Sequence, residues 1–117
     1  MAFLNKKQIF ETDDIETVEV DVPEWGGKVN VIMLTGAQRD AFEMSFTGKN
    51  GKVTNIKDVR ARLCALVVVD EKGDRVFFDA DIPQLSRKSS AALDRIFSIA
   101  QKLNRMTDDD VEELAKN

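Results

Sequence analysis

The clearest apolar pattern in the chain lies between residues 55 and 78, where helical spacing gives way to strand-like composition. Asn55 is a helix-capping residue type, and apolar residues then recur at three- and four-residue steps. This spacing predicts a helix near 56–66, with Arg60 and Arg62 on its solvated flank. The predicted buried face comprises Ile56, Val59, Leu63, Leu66 and Val67.

β-Branched and turn-forming residues follow that helix and predict a hairpin near 67–78. Residues 67–69 are three valines, which favour a strand, although the pattern leaves open whether they end the helix instead. Residues 70–73 read Asp-Glu-Lys-Gly, and Gly73 can adopt the positive φ that a tight turn needs. Residues 75–78 are predicted to return as the second strand.

The N-terminal part of the chain changes from a brief helical pattern over residues 4–10 to strict alternation. Residues 15–22 place three valines on one face and polar side chains on the other, which predicts a half-buried strand. Residues 23–27 contain one proline and two glycines and predict a connection. Residues 28–34 predict a second strand that is covered on both sides, because Val29, Val31 and Met33 lie on one face and Ile32 and Leu34 on the other. An antiparallel hairpin is the simplest pairing of the two strands.

Capping residues predict a helix on each side of the central segment. Thr35 and Gln38 form a capping-box pair at the start of a helix near 36–46. This helix is predicted to bury Ala41, Phe42 and either Phe46 or Met44. Asp79 to Pro83 predict the start of a short helix that ends near residues 85–86.

A longer amphipathic helix is predicted near 88–103, starting at Ser89 or Ser90, with Asn104 as a left-handed cap. Thr107 then caps a weak C-terminal helix, on which Val111 and Leu114 are the apolar residues. The apolar face of the longer helix comprises Leu93, Ile96, Phe97, Ala100 and Leu103, and the polar face Asp94, Arg95, Gln101 and Lys102.

These elements predict a single α+β domain over residues 1–117. Of the 117 residues, 43% are hydrophobic and 32% charged, which suits a packed core with a solvated surface. The net charge of −4 argues against nucleic acid as the main ligand, because counterion release requires basic patches. No apolar run approaches a membrane span, and the start of the chain lacks a signal-peptide pattern. A soluble, cytoplasmic protein is therefore expected.

The composition argues against an enzyme. The chain has no histidine and no tyrosine, and its one cysteine, Cys64, lies in an apolar helix pattern that predicts a buried filler rather than a nucleophile. Residues 108–110 are three aspartates, but a calcium loop spaces its ligands differently, and a helix N-terminus explains them. Residues 48–52 form a basic loop without the context of a phosphate site. We expect no catalytic, cofactor or metal site.

Apolar residues that the predicted core does not fully use are the candidates for partner binding. Trp25, between a proline and two glycines, is either a lid on the core or an exposed contact residue. The long helix carries more apolar residues than the weak last helix can cover. Ile99, Leu103 and Leu114 are therefore predicted to contact a partner or a second copy of the chain.

Three segments, which together span nearly the whole chain in order, resemble the tail assembly chaperones of lambda-like, long non-contractile-tailed bacteriophages. The first is Val-Pro-Glu-Trp-Gly-Gly at residues 22–27. The second runs from Arg-Ala-Arg-Leu at 60–63 into Val-Asp-Glu-Lys-Gly at 69–73. The third is residues 85–104, followed by Glu-Leu-Ala-Lys-Asn at 113–117.

This resemblance implies a non-enzymatic factor that binds the tape measure protein, keeps it soluble and helps to recruit the major tail protein. It implies action in the cytoplasm of the infected host and absence from the mature virion. It also implies a longer product made by programmed frameshifting. Ala115, Lys116 and Asn117 can be encoded as GCA-AAA-AAC, which contains a slippery heptamer, although the same tripeptide can simply end a helix. The alternative function is a structural head–tail connector or minor tail component.

Overall fold

The computed structural model describes residues 2–46 and 57–106. Several predicted features therefore lie outside the described residues. They are the basic loop at 48–52, the helix start at Asn55 and Ile56, the aspartates at 108–110, Leu114 and the C-terminal helix.

The described chain is an α+β fold, as predicted, in which helices pack against a small antiparallel sheet whose strands follow one another in chain order, with the second strand in the centre. Single 3-10 turns at Pro23–Trp25 and Asp79–Asp81 connect elements. In chain order the elements are α1 (Lys6–Glu11), β1 (Thr17–Val22), β2 (Gly27–Ile32), α2 (Gly36–Met44), α3 (Val59–Val67), β3 (Val68–Val69), α4 (Ile82–Leu85) and α5 (Ser90–Leu103).

The N-terminal hairpin of β1 and β2 forms as predicted. Its register pairs Val18 with Val31 and Val20 with Val29. Residues directly opposite in an antiparallel pair share a face, so these valines lie on one side of the sheet. Val20 and Val31 on that side are buried in the core. The alternation in β1 therefore identified the side of the sheet that the helices cover.

Helix α3 is buried around more of its circumference than the predicted buried face covers. Val59 and Leu66 are only half-buried, whereas Ala61 and Ala65, which lie outside the stripe, are fully buried. Small side chains at these positions allow neighbouring elements to approach closely. The helix begins at Val59, after Asp58 in a left-handed conformation (φ 58°), and so starts later than the predicted start near residue 56.

The second hairpin is shorter than predicted. Val67 ends α3, and Val68–Val69 pair with β2 through Asn30 and Val31, which settles the open alternative for the valine run. The prediction of a returning strand at 75–78 is wrong, because a single bridge between Val69 and Arg75 replaces a ladder. Arg75 instead donates from Nε to the Ala65 carbonyl at 3.1 Å, which draws the chain across the end of α3.

The turn between Val69 and Arg75 has the predicted conformation. The Gly73 N–H donates to the Asp70 carbonyl at 3.0 Å, and Gly73 has a φ of 88°. The Asp70 carboxylate accepts from the N–H groups of Lys72 and Asp74, at 2.8 and 3.0 Å. The side chain of Asp70 thus satisfies two backbone donors within the turn itself.

Gly73→Val is expected to lower the free energy of unfolding by at least ~1 kcal/mol, measured by urea denaturation. A Cβ at this position would meet no atom within 4 Å, so the cost arises from the positive φ and not from a clash. Gly73→Asn is the matched control, because asparagine tolerates the left-handed region. A neutral valine variant would contradict the assigned turn.

Helix α2 begins with the predicted capping box. The Thr35 side chain accepts from the Gln38 N–H at 3.1 Å, and the Gln38 side chain accepts from the Thr35 N–H at 2.9 Å. Phe42 and Phe46 are buried and pack edge to face, with ring centroids 4.8 Å apart. The prediction that Ala41 is buried is wrong. Phe42 and Phe46, which are four residues apart, point into the core, whereas Ala41 and Met44 point away from it and are exposed.

Helix α5 presents the predicted apolar face to the core, and Ser89 caps it by accepting from the Ala92 N–H at 3.3 Å. Its C-terminus differs from the prediction in two respects. Arg105, not Asn104, is left-handed (φ 55°), and Gln101 is buried instead of lying on the polar face. The cause is a reversal of the chain in which the Met106 N–H donates to the Gln101 carbonyl at 2.7 Å.

Candidate functional site

Trp25 lies at the end of the β1–β2 hairpin, where the 3-10 turn holds it. Pro23 starts this turn, and Gly26 ends it in the left-handed conformation with a φ of 74°. The indole packs against the core and is half-buried, so it forms part of a lid. Its Nε1–H is buried and has no hydrogen-bond partner within the described residues.

The other side of Trp25 lines a groove of about 640 Å³, here called the Trp25 groove. The side chains of Val76, Phe77 and Leu85 provide its apolar lining, and a volume of roughly 300–1,000 Å³ is typical of binding pockets. Three sequence-distant segments therefore form it: the hairpin turn, the chain after Arg75, and α4. The complete lining is Glu24, Trp25, Val76, Phe77, Asp81, Gln84, Leu85 and Lys88.

Hydrogen bonds to other parts of the fold hold the acidic side chains of the groove lining in place. The Glu24 carboxylate accepts from Nε of Arg95 on α5, at 2.8 Å. This hydrogen bond lowers the pKa of Glu24 and raises the pKa of Arg95. The Asp81 carboxylate accepts from the Phe78 N–H at 2.9 Å. The lining acids are thus oriented before any ligand binds, and Arg95 and Lys88 balance their charge.

The predicted partner-binding residues do not form one surface. Ile99 and Leu103 are half-buried against the core, and neither lines the Trp25 groove. Leu103 borders a separate depression of about 280 Å³ near Leu34 and Arg39. Leu114 lies outside the described residues. Of the predicted residues that the structure describes, Trp25 alone lines the groove.

A run of exposed apolar side chains near the start of the described chain was not predicted. Every residue from 2 to 14, here called the N-terminal arm, is exposed, and none of α1 is buried. The exposed fractions are 102% for Phe3, 65% for Leu4, 52% for Ile9 and 79% for Phe10. Val76 and Phe78, beside the groove, are also exposed, at 46% and 60%.

A local signal in the sequence could have located α1. Asn5 and Gln8 have the capping-box spacing, and both reciprocal hydrogen bonds form at 2.9 Å. Leu4 and Ile9 occupy the positions of a hydrophobic staple around that cap. These features define a helix start at Lys6, two residues later than the predicted pattern at 4–10.

Cys64 has the environment of a core residue. Its side chain is fully buried and donates weakly to the Leu93 carbonyl, with Sγ 3.7 Å from the oxygen. Burial, with a smaller contribution from the Asp94 charge, raises the pKa of the Cys64 thiol to about 12. Nucleophilic cysteines require the thiolate, so Cys64 is inert near neutral pH.

Within residues 2–46 and 57–106, no group of three or more acidic or cysteine side chains comes together in a way that could hold a metal ion. Among the described helices, none combines the length and the apolar character needed to cross a bilayer.

The fold and the site define an α+β protein with an apolar groove and an exposed apolar arm. Against protein-family models, curated proteins and solved structures, nothing matches this chain.

Proposed function

We propose that this protein is a bacteriophage tail assembly chaperone that binds the tape measure protein, keeps it soluble and helps to recruit the major tail protein. In this proposal it is not an enzyme, acts in the cytoplasm of the infected bacterium and is absent from the mature virion. The sequence resemblance supplies the family. The observation that supports the role is the exposure of the large apolar side chains of Phe3, Leu4, Ile9 and Phe10.

Exposed apolar side chains of this size suit a protein that works by contact. Apolar patches larger than roughly a few hundred Å² are rare on monomeric proteins and often mark binding sites, and large exposed side chains such as these contribute to such a patch. A tape measure protein is a long helical chain that exposes apolar stripes until the tail tube encloses it. Helix-in-groove contact is the expected mode of binding, with apolar anchors spaced along one face of the client.

Co-expression with the tape measure protein from the same genome tests the proposal. We expect the tape measure protein to remain in the soluble fraction and to co-purify with this chain. In the absence of this chain it is expected to aggregate. A tape measure protein whose solubility does not depend on the chain, and which does not co-purify with it, would refute the chaperone role.

Ile99→Glu is expected to reduce the amount of tape measure protein retained in a pull-down, because the charge would lie in the apolar surface proposed for α5. Ser98→Glu is the matched control, since it adds the same charge at an exposed neighbouring position. Circular dichroism of both variants establishes that the fold persists. If a folded Ile99→Glu variant retains as much tape measure protein as the wild type, the binding surface would have to be the Trp25 loop or the sheet instead.

A structural head–tail connector or minor tail component is the second candidate, because exposed apolar residues also suit permanent assembly contacts. The two functions differ in where the protein is found after assembly. Mass spectrometry of purified particles distinguishes them, since a chaperone is absent from the particle and a connector is present at a fixed stoichiometry.

A further inference from the structure

Strand β1 is an outer strand of the described sheet, and it pairs with β2 along its whole length without a bulge. The ladder continues one residue before β1, where the Met33 N–H donates to the Glu16 carbonyl at 2.8 Å. Hydrogen-bonded pairs in an antiparallel ladder recur at every second residue. The N–H and carbonyl groups of the even-numbered residues therefore point toward β2, and those of Thr17, Glu19 and Asp21 point away from it.

The outward edge of β1 is open in the part of the chain that the structure describes. Within residues 2–46 and 57–106, the N–H and carbonyl groups of Thr17, Glu19 and Asp21 have no hydrogen-bond partner. All three residues are exposed. Apart from β2, β1 packs mainly against α5, in the core that its buried valines share. A regular, unpaired edge of this kind is a template for a further strand.

The side chains along this edge are acidic. Residues 2–22 contain six acids and two lysines, and both lysines lie on α1. On β2, Lys28 lies 3.4 Å from Glu19, but their side chains are 62% and 69% exposed, so water screens this pair and leaves it weak. Asp21 makes no ion pair within the described residues. The exposed face of β1 therefore keeps an excess of negative charge.

A second copy of β1 fits this edge poorly. In the two antiparallel registers with the greatest overlap, Glu19 lies opposite either another Glu19 or the Asp21 of the other copy. Like charges directly opposite each other destabilise an antiparallel pair, and charged edge strands commonly resist self-association in this way. A strand with lysine or arginine at those positions would form attractive cross-strand pairs instead.

The covered face of the sheet is incomplete at the same edge. Val18 is only half-buried, whereas Val20 and Val22, further along β1, are buried. Successive side chains of a strand alternate between the two faces of a sheet. A strand beside β1 with basic residues on the exposed face would therefore place its intervening residues on the covered face, where apolar side chains would contact Val18.

We propose that the open edge of β1 binds an extended segment of a second protein in which lysine or arginine alternates with apolar residues. The segment adds a fourth strand to the described sheet, with backbone hydrogen bonds to Thr17, Glu19 and Asp21. Its basic side chains lie opposite Glu19 and Asp21, and its apolar side chains extend the covered face. This contact rests on the geometry and charge of the sheet and does not depend on the proposed function.

A hexapeptide of alternating lysine and valine, acetylated and amidated at its ends, tests strand addition to the full-length chain. At low salt we expect the peptide to bind and to protect the Glu19 and Asp21 amides, measured by NMR as fast hydrogen exchange with water. With about 90% of the chain bound, exchange at these amides should slow about tenfold, because only the unbound fraction exchanges rapidly.

Two N-methylated peptides of identical charge separate strand addition from charge attraction. In the proposed register the backbone groups of the lysines face β1 and those of the valines face away. N-methylation of the third residue, a lysine, removes a donor to β1 and should raise the dissociation constant about tenfold or more. N-methylation of the fourth residue, a valine, falls on the outer edge of the added strand and should have little effect.

Charge reversal on the protein tests the recognition of basic side chains. Asp21→Lys is expected to raise the dissociation constant of the lysine–valine peptide about 2- to 30-fold, because a repulsive cross-strand pair replaces an attractive one. A glutamate–valine hexapeptide should bind this variant more tightly than it binds the wild type. Asp40→Lys is the matched control, since it makes the same change of charge at an exposed position on α2.

Three results would overturn the proposal. One is a lysine–valine peptide that does not bind at millimolar concentration. The second is equal affinity of the two N-methylated peptides, since charge attraction alone would then hold the peptide. The third is slow exchange of the Glu19 and Asp21 amides in the absence of peptide, because the chain itself would then cover the edge.

Discussion

Leu63→Ala is expected to lower the free energy of unfolding by about 2–5 kcal/mol. Leu63 lies on α3 and is among the largest fully buried side chains. Around it, α3 packs against α5, α4 and the sheet. These elements are anchored by their own hydrogen bonds, so they cannot close the cavity that truncation creates, and the lost contacts are added to the lost transfer free energy.

Urea denaturation followed by circular dichroism measures this effect. Leu66→Ala is the matched control, because it removes the same atoms from the same helix at a position that is only half-buried. We expect its cost to be clearly smaller. A Leu63→Ala cost under about 0.5 kcal/mol, the size of an ordinary surface substitution, would mean that α3 does not occupy the centre of the core.

Elements specified by neighbouring residues were predicted well from the sequence. The β1–β2 hairpin follows from alternation of valines with polar residues, and α2 from the reciprocal bonds of Thr35 and Gln38. The turn at Gly73 follows from the same kind of local chemistry. In each case, the groups that satisfy the backbone lie within a few residues or on the adjacent strand.

Elements that depend on distant contacts were predicted less well. The strand expected at 75–78 has suitable apolar residues, but Arg75 reaches the Ala65 carbonyl and the chain leaves the sheet. Gln101 appears polar on a helical projection, yet the reversal at Arg105 buries it. Periodicity describes which face of one helix is apolar and contains no information on what a later segment covers.

The candidate site was likewise predicted only in its local part. Trp25 could be selected because proline and glycines surround it, and the structure places it in the groove. Val76 and Leu85 join it only through the tertiary fold. The exposure of Phe3 and Phe10 was missed because an apolar residue normally counts toward the core, and the sequence does not show that the arm lies outside it.

Hydrogen bonds of Asn104 connect the end of α5 to the start of α2. Its Oδ1 accepts from the Leu34 N–H at 2.8 Å, and its Nδ2 donates to the Ala100 carbonyl at 2.9 Å. The Asn104 carbonyl also accepts from Nη1 of Arg39 at 3.1 Å. The first two bonds are buried, and water cannot replace them freely.

Asn104→Ala is expected to lower the free energy of unfolding by about 1–3 kcal/mol in urea denaturation, because the buried Leu34 N–H loses its acceptor. The Ala100 carbonyl keeps a partner, the Asn104 backbone N–H, so the main loss is at Leu34. Asn104→Asp separates the two bonds: it retains the acceptor for Leu34 but places a carboxylate against the Ala100 carbonyl. The Leu34 N–H and the Arg39 guanidinium favour the ionised form of the introduced carboxyl, but we expect burial and the Ala100 carbonyl to outweigh them and to raise its pKa in the folded state.

The folded Asn104→Asp variant therefore binds its proton more tightly than the unfolded chain does, and it gains stability relative to wild type as the pH falls. We expect its deficit to be largest at neutral pH and to shrink as the pH falls from the raised pKa of the folded carboxyl to the unfolded value near about 4, where the protonated group can donate to Ala100. Asn104→Ala, which has no ionisable group, should show a deficit independent of pH over the same interval. Equal pH dependence of the two variants would show that the Asn104 side chain does not make the buried contact with Ala100.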